Sequence, residues 1–374
     1  MKKTFSQLLE EDRESVLRKA AHKLPSWVRA GAIDFPGSLC LEQCSSEAAA
    51  HYKASFVKGA GIVADLTGGL GVDSVAFSQV AGDVLYYERN PELAAAAFGN
   101  FEKLGAANIA VCCAEVGPGQ IDALPVCGWI YADPARRSAA GRKVFLFEDC
   151  EPDILTLLPS IWQKTTNVML KLSPMADISM VASRLGSELA EIHIVALKGE
   201  VKELLCILKA GNTAGYTETV VELEDGGSLA FRPEDEAAAV AVPAPAPEPG
   251  DFLYEPRPAL LKAGLFKLPC TRCGLRKFAP STHLYTGPGT PVPFFKIYRI
   301  RETAPLGKST LKDFAARYPG ASVSARNLPL GSEELRSRMK MGAATRDGTH
   351  IFGCTLGKEK ILIAADTLSR KPGQ

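Results

Sequence analysis

Apolar positions in this chain alternate between two rhythms. Ile62, Val63 and Leu66 read as a short buried strand, and Val72, Val75, Ala76 and Val80 then recur at helical spacing. Residues 84–87 form a second apolar run that ends on Glu88. Asn90-Pro91 supplies a cap and a first-turn proline, and Leu93, Ala97, Phe101 and Leu104 keep one helical face apolar up to Gly105. Further strands are expected at 109–113, 129–133, 167–172, 192–197 and 217–223, with helices over 152–162, 178–185 and 200–210. This alternation predicts an α/β fold, a doubly wound, Rossmann-like, mostly parallel sheet of seven strands. Ligands of such sheets gather at the carboxyl ends of the strands, where Asp65, Glu88 and Asp133 all fall.

The pattern changes on both sides of this block. Residues 1–58 read as short helices broken at Lys23-Leu-Pro and Asp34-Phe-Pro-Gly, with Ser45 or Ser46 capping the last one beside the glycine loop. The α/β domain takes residues 59–236. Residues 237–289 begin in an Ala/Pro-rich stretch and read as linker and connector, with a helical piece after Tyr254 and a strand at 282–286. Residues 290–374 read as a small α+β module that closes on a hairpin around Gly357.

The first strand and its loop carry the chemistry. Gly68, Gly69 and Gly71 permit a tight turn and close backbone approach to a ligand. Gly69-Leu-Gly71-Val-Asp-Ser74 nearly satisfies the dinucleotide fingerprint, but Ser74 stands at the third glycine. Asp65 weighs more, because a carboxylate at that strand tip would repel a pyrophosphate. S-adenosylmethionine (SAM) carries a sulfonium and an ammonium and no phosphate, so it suits Asp65, with Glu88 on the ribose hydroxyls.

Composition narrows the class. A hydrophobic fraction of 46% and a charged fraction of 23% describe a globular chain. No apolar h-region follows Met1-Lys-Lys and no apolar run is long enough for a bilayer, so a cytoplasmic location is expected. Ten cysteines form no disulfide framework. Cys270-Thr-Arg-Cys273, with His283, falls short of a four-ligand zinc site, so no metal is expected. The net charge of +1 hides an asymmetry: residues 251–374 hold 21 Lys/Arg and 9 Asp/Glu, a net of +12, which leaves −11 on residues 1–250. A basic module joined to an acidic one suggests a polyanionic partner.

Asp65-Leu-Thr-Gly-Gly-Leu-Gly-Val-Asp, Asp133-Pro-Ala-Arg-Arg, Lys171-Leu-Ser-Pro-Met, Leu197-Lys-Gly-Glu-Val-Lys-Glu-Leu-Leu, Tyr254-Glu-Pro, Thr282-His-Leu-Tyr-Thr and Arg326-Asn-Leu-Pro-Leu span nearly the whole chain. Together they resemble a bacterial class I SAM-dependent methyltransferase family with a C-terminal THUMP-like domain. The resemblance implies a SAM site at Asp65, Thr67, Gly68, Gly69, Gly71, Asp73, Glu88 and Arg89, with Glu115 and Asp133 at its margins. It also implies an RNA partner, tRNA or rRNA, because THUMP domains accompany RNA modification. One departure is Glu115, which stands where such enzymes often place an Asp on the adenine amine.

Three chemistries remain open. Asp133-Pro-Ala-Arg lacks the aromatic residue that stacks a flipped adenine, and Cys150 is the candidate thiol by the Asp133 loop for a covalent pyrimidine route. Ribose 2′-O-methyltransferases use a Lys-Asp-Lys-Glu set on an upstream helix, the fourth, the fifth and the last strand. Asp133, Lys171 and Glu218, with Lys53 or Lys58, occupy those expected elements, as catalytic groups or as surface ion pairs. Arg136, Arg137 and Arg142 supply cations for acceptor phosphates, or salt bridges within their own loop.

Overall fold

The computed structural model describes residues 5–32, 34–136, 150–345 and 348–368. The chain divides into two compact units, residues 1–195 with 202–219, and residues 196–201 with 220–374. Four helices come first: α1 (Phe5–Lys23), α2 (Pro25–Arg29), α3 (Ser38–Gln43) and α4 (Glu47–Ala54). The alternating block follows with β1 (Ile62–Asp65), α5 (Val72–Ser78), β2 (Asp83–Glu88), α6 (Pro91–Leu104), β3 (Ile109–Cys113), α7 (Pro118–Ala123) and β4 (Trp129–Ala132). A small pair, β5 (Ala135–Arg136) and β6 (Cys150–Glu151), precedes α8 (Ile154–Ile161), β7 (Asn167–Leu172), α9 (Ile178–Leu185), β8 (Leu189–Leu197), β9 (Glu200–Lys209), β10 (Thr217–Glu222) and β11 (Gly227–Phe231).

The main sheet runs β3-β2-β1-β4-β7-β9-β8-β10-β11, nine strands where seven were expected. β1, β2, β3, β4 and β7 pair in parallel, as βαβ crossovers require. Local signals set the helix ends: the Asn90 side chain accepts from Glu92 N and Leu93 N, and Gly105 closes α6 at φ +69°. Asp153 and Asp177 cap α8 and α9 in the same way.

One element differs in kind from its sequence reading. Residues 200–210, expected as a helix, form β9, which lies antiparallel to β7 and between β7 and β8. Six consecutive buried residues, 203–208, explain the choice. A helix with only one core face cannot bury six in a row, whereas an interior strand covered on both faces can. Lys198 at φ +55° and Gly199 at φ +75° make the two-residue turn into β9. β10, expected as the seventh strand, is a strand of this sheet and lies between β8 and β11.

The rest of the second unit begins with α10 (Pro233–Ala238), β12 (Phe252–Pro256), α11 (Pro258–Lys262), α12 (Leu268–Cys273), β13 (Arg276–Ala279) and β14 (Thr282–Gly287). It ends with β15 (Phe295–Pro305), α13 (Lys308–Arg317), β16 (Ser322–Arg326), α14 (Ser332–Met339), β17 (Thr349–Leu356) and β18 (Glu359–Thr367). Its seven strands run β13-β14-β12-β15-β18-β17-β16. The segment read from sequence as linker and connector therefore supplies three strands of a sheet. Tyr254, at the head of the stretch expected as a helical connector, is fully buried in β12 between β14 and β15, and the helix of that stretch, α11, starts at Pro258. Leu253, Phe278, Tyr298, Phe352 and Ile363 build one core of this unit, and Phe314, Val323, Leu335 and Leu362 another beneath α13 and α14. No helix among the described residues is long and apolar enough to cross a membrane.

Candidate active site

The glycine loop after β1 is built by packing as much as by turning. A Cβ on Gly68 would lie 2.0 Å from the Tyr86 ring, and one on Gly71, at φ +85°, would lie 2.4 Å from the Phe101 ring. Both glycines let the loop settle on aromatic side chains of β2 and α6, and the Tyr86 hydroxyl donates to Gly69 O. Asp65 is 1% exposed and accepts from Thr67 N at 3.0 Å and Ser74 Oγ at 2.6 Å. Burial pushes its carboxyl up to about 7 despite those bonds. Glu88, at the end of β2, accepts from Gly69 N at 2.9 Å and Asn90 N at 2.8 Å. Each of its oxygens keeps a second lone pair for another donor.

Opposite the loop stands the pair Asp133–Lys171. Asp133 follows β4, and its backbone N–H donates to Thr67 Oγ1 at 2.6 Å, so one hydroxyl ties the glycine loop to the β4 tip. Lys171 projects from β7 and donates to Asp133 Oδ2; the side chains are 12% and 37% exposed. Burial opposes the Lys171 charge, but Asp133, Glu203 and Asp73 outweigh it and raise its pKa above the ordinary lysine value. At neutral pH Lys171 is an ammonium.

Behind this pair lies a second cluster with no exposed member. Lys53, on α4, is 0% exposed and donates to Glu203 Oε1 and Oε2 at 2.9 and 3.0 Å and to Ser45 Oγ at 2.8 Å. It also makes an ion pair with Asp73 Oδ1 at 3.1 Å. Asp73 Oδ2 accepts from Ser45 Oγ and Tyr131 OH, both at 2.8 Å. Burial works to raise the Asp73 carboxyl, yet Lys53, Lys171, Ser45 and Tyr131 hold it below its usual range.

These contacts sort the residues singled out from sequence. The loop glycines, Asp65, Thr67 and Glu88 converge with Asp133 and Lys171 on the carboxyl ends of neighbouring strands. Asp73 joins the buried Lys53 cluster rather than the loop surface. Arg89 bonds Glu151 Oε2 at 2.7 Å and lies 3.9 Å from Glu115, and both Arg89 and Glu115 are exposed. Arg137 and Arg142 lie outside the described residues, as does the side chain of Arg136. Glu218 sits on β10, and burial with an unbonded Oε2 raises its carboxyl to about 7. The glutamate that meets the lysines is Glu203, which sequence reasoning missed because it took β9 for a helix. The turn Lys198-Gly199 was the signal for it. Ser46 caps α4 by accepting from Ala49 N, and its neighbour Ser45 serves the buried cluster. No group of three or more His, Cys, Asp or Glu is placed to hold a metal among the described residues.

Comparison with known proteins now bears on this arrangement. A ferredoxin-like domain model matches residues 252–293, and a THUMP domain-like model matches residues 295–367. The crystal structure of a "putative methyltransferase" from Porphyromonas gingivalis W83 is 32% identical, covers 96% of this chain and 90% of its own, and superposes with a TM-score of 0.84. The chain belongs to the family of class I methyltransferases with a C-terminal THUMP-like domain. No curated protein matches the sequence. Partial likenesses extend to an rRNA methylase from Streptococcus thermophilus (12% identity, 43% of this chain and 94% of that one, TM-score 0.33). A precorrin-6y C5,15-methyltransferase from Geobacter metallireducens GS-15 is similar over 44% of this chain and 88% of its own, at 15% identity and a TM-score of 0.31. At such scores neither bears on the acceptor. Open α/β sheets bind ligands outside the carboxyl ends of their strands, here the ends of β1, β2, β4 and β7.

Proposed function

We propose that this protein is a SAM-dependent methyltransferase whose acceptor is structured RNA, tRNA or rRNA. The observation that carries the reading is the accessible Asp133–Lys171 pair, tied through Thr67 to the glycine loop. The residues fit SAM: Glu88 has spare lone pairs for ribose hydroxyls, and the Asp65 carboxylate offers negative charge to a ligand with sulfonium and ammonium centres. SAM would supply an electrophilic methyl on a sulfonium. Asp133 then accepts or orients the proton of the acceptor atom, and the Lys171 ammonium holds Asp133 in place and stabilises negative charge that develops there. A Lys171 with a raised pKa is a poor base, so proton removal falls to Asp133.

RNA is favoured by the charge of residues 251–374, a net of +12, and by the THUMP-like match within them. A ribose hydroxyl is a specific second option. Lys53, Asp133, Lys171 and Glu203 occupy the upstream helix and the strands of a Lys-Asp-Lys-Glu set, although Lys53 and Glu203 are sealed from substrate. Nucleoside mass spectrometry of RNA from cells with and without the gene tests the reading. One methylated nucleoside should vanish with the gene and return with the wild-type protein. An unchanged profile, with label from SAM entering protein or a small molecule instead, would overturn it.

A further inference from the structure

Within the THUMP-like domain an open cleft of about 560 Å³ is lined by Arg301, Arg317, the Tyr318-Pro319-Gly320 turn, Thr345 and Thr349. Each arginine commits part of its guanidinium to neighbours. Arg301 Nε bonds Asp366 Oδ2 at 2.5 Å, and Thr349 Oγ1 holds the other oxygen of that carboxylate at 3.1 Å. Arg317 Nη1 lies 2.7 Å from Glu302 Oε1, its Nε donates to Asp313 O at 3.3 Å, and Tyr318 OH donates to Glu302 Oε2 at 3.1 Å. Both terminal nitrogens of Arg301 and Nη2 of Arg317 keep their N–H groups free of partners among the described residues.

Half-exposed ion pairs of this kind add little to stability, so folding gives no reason for two of them to share one cleft. Ligand chemistry does. A guanidinium braced by a carboxylate is oriented in advance, and its remaining N–H groups match phosphate oxygens in pairs. The two carboxylates offset part of the charge of the two arginines, so hydrogen-bond geometry adds to attraction in what the cleft selects. The Tyr318 ring and the exposed Thr345 hydroxyl offer contacts to a sugar or base. The volume falls within the ~300–1,000 Å³ typical of small-molecule pockets, room for one nucleotide.

We propose that this cleft binds one phosphate-bearing nucleotide unit of the RNA. The proposal rests on the RNA reading above; a free mononucleotide shares the chemistry and is separated from RNA by the test. The full-length protein is titrated with a fluorescein-labelled single-stranded RNA by anisotropy over a salt series, and with AMP by calorimetry. Two variants accompany it: the double change Arg301→Gln with Arg317→Gln, and Thr345→Glu, which adds a carboxylate at the exposed rim and leaves both arginines in place. RNA affinity should fall about tenfold or more in each. In the double variant the slope of log affinity against log salt should drop by about 0.7 for each phosphate the arginines no longer neutralise. SAM binding and the melting temperature should stay at wild-type values. Wild-type RNA affinity and slope in both folded variants would overturn the cleft while leaving RNA as the acceptor. Arginine-dependent binding of AMP with no RNA binding would keep the cleft and remove the RNA reading. Binding of neither probe by the wild-type protein would end the proposal.

Discussion

Lys53→Met tests the buried cluster that backs the site. Lys53 has no exposure and is the ammonium in direct contact with Glu203 and Asp73, whose side chains are 3% and 11% exposed. Methionine fills much the same volume but leaves the Glu203 carboxylate buried without a cation. Removing one partner of a buried ion pair costs on the order of 3–5 kcal/mol, because the remaining charge is desolvated and uncompensated. In a unit of about two hundred residues, roughly 2–4 °C per kcal/mol converts this to a melting-temperature loss of about 6–20 °C. Differential scanning calorimetry of the full chain at pH 7.5 reads the loss as a shift of the transition of the first unit. Adding Glu203→Leu to Lys53→Met should restore much of it, since well-packed apolar replacements of buried pairs are often neutral. Lys58→Met, at an exposed neighbour, should stay within ~0.5 kcal/mol of wild type. A Lys53→Met protein melting within ~2 °C of wild type would refute the cluster as drawn.

Asp65 gives a pH prediction. Its folded pKa of about 7 lies above the unfolded value of ~3.9, so the folded state keeps the proton longer. The contribution of Asp65 to stability should therefore fall as pH rises from about 4 to 7, and Asp65→Asn should remove that part of the slope in urea titrations; an identical slope in the variant would contradict the burial argument. SAM affinity measured by calorimetry should tighten severalfold as pH rises through 7 in the wild type and stay flat in Asp65→Asn. Gly68→Ala would drive a methyl into the Tyr86 ring and should cost at least ~1–3 kcal/mol in chemical denaturation; a neutral effect would mean the loop is not packed on Tyr86. Lys171→Met, with an unchanged melting temperature as control, should nearly abolish transfer to a ribose hydroxyl but leave a base methyltransferase much of its turnover.

The block from β1 to β4 was legible because several local signals agree there. Short apolar runs and period-3.6 stretches alternate, Asn90-Pro91 and Gly105 bracket α6, and Asp65 and Glu88 end strands while Asp133 follows one; only α7 was not read. β9 was not legible by periodicity, since Glu200-Val-Lys-Glu-Leu-Leu has the helical spacing and good helix formers. Its state is set by tertiary burial on both faces, which local sequence does not display. With β9 read as a helix, Glu218 was the glutamate expected beside the lysines, whereas the structure brings Glu203 to Lys53. The roles of Gly68 and Gly71 were half legible: the turn could be read, but the Tyr86 and Phe101 rings that require hydrogen in place of Cβ come from elements further along the chain. Tyr254 in β12 was hidden in the same way, because the prolines around it suggest a connector and its strand partners lie about thirty to forty-five residues downstream.

The most direct test of the central claim is tritium transfer from labelled SAM into RNA purified from cells lacking the gene, comparing wild type with Asp133→Asn. The substitution keeps the side-chain shape and removes the charge at the tip of β4. The wild type should label RNA. Asp133→Asn should bind SAM with unchanged calorimetric affinity, yet transfer methyl at least about a hundredfold more slowly, as expected for lost general-base or orienting help. RNA left unlabelled by a wild-type protein that binds SAM, or equal turnover by the two proteins, would contradict the assignment of Asp133 as the acceptor-side group of an RNA methyltransferase.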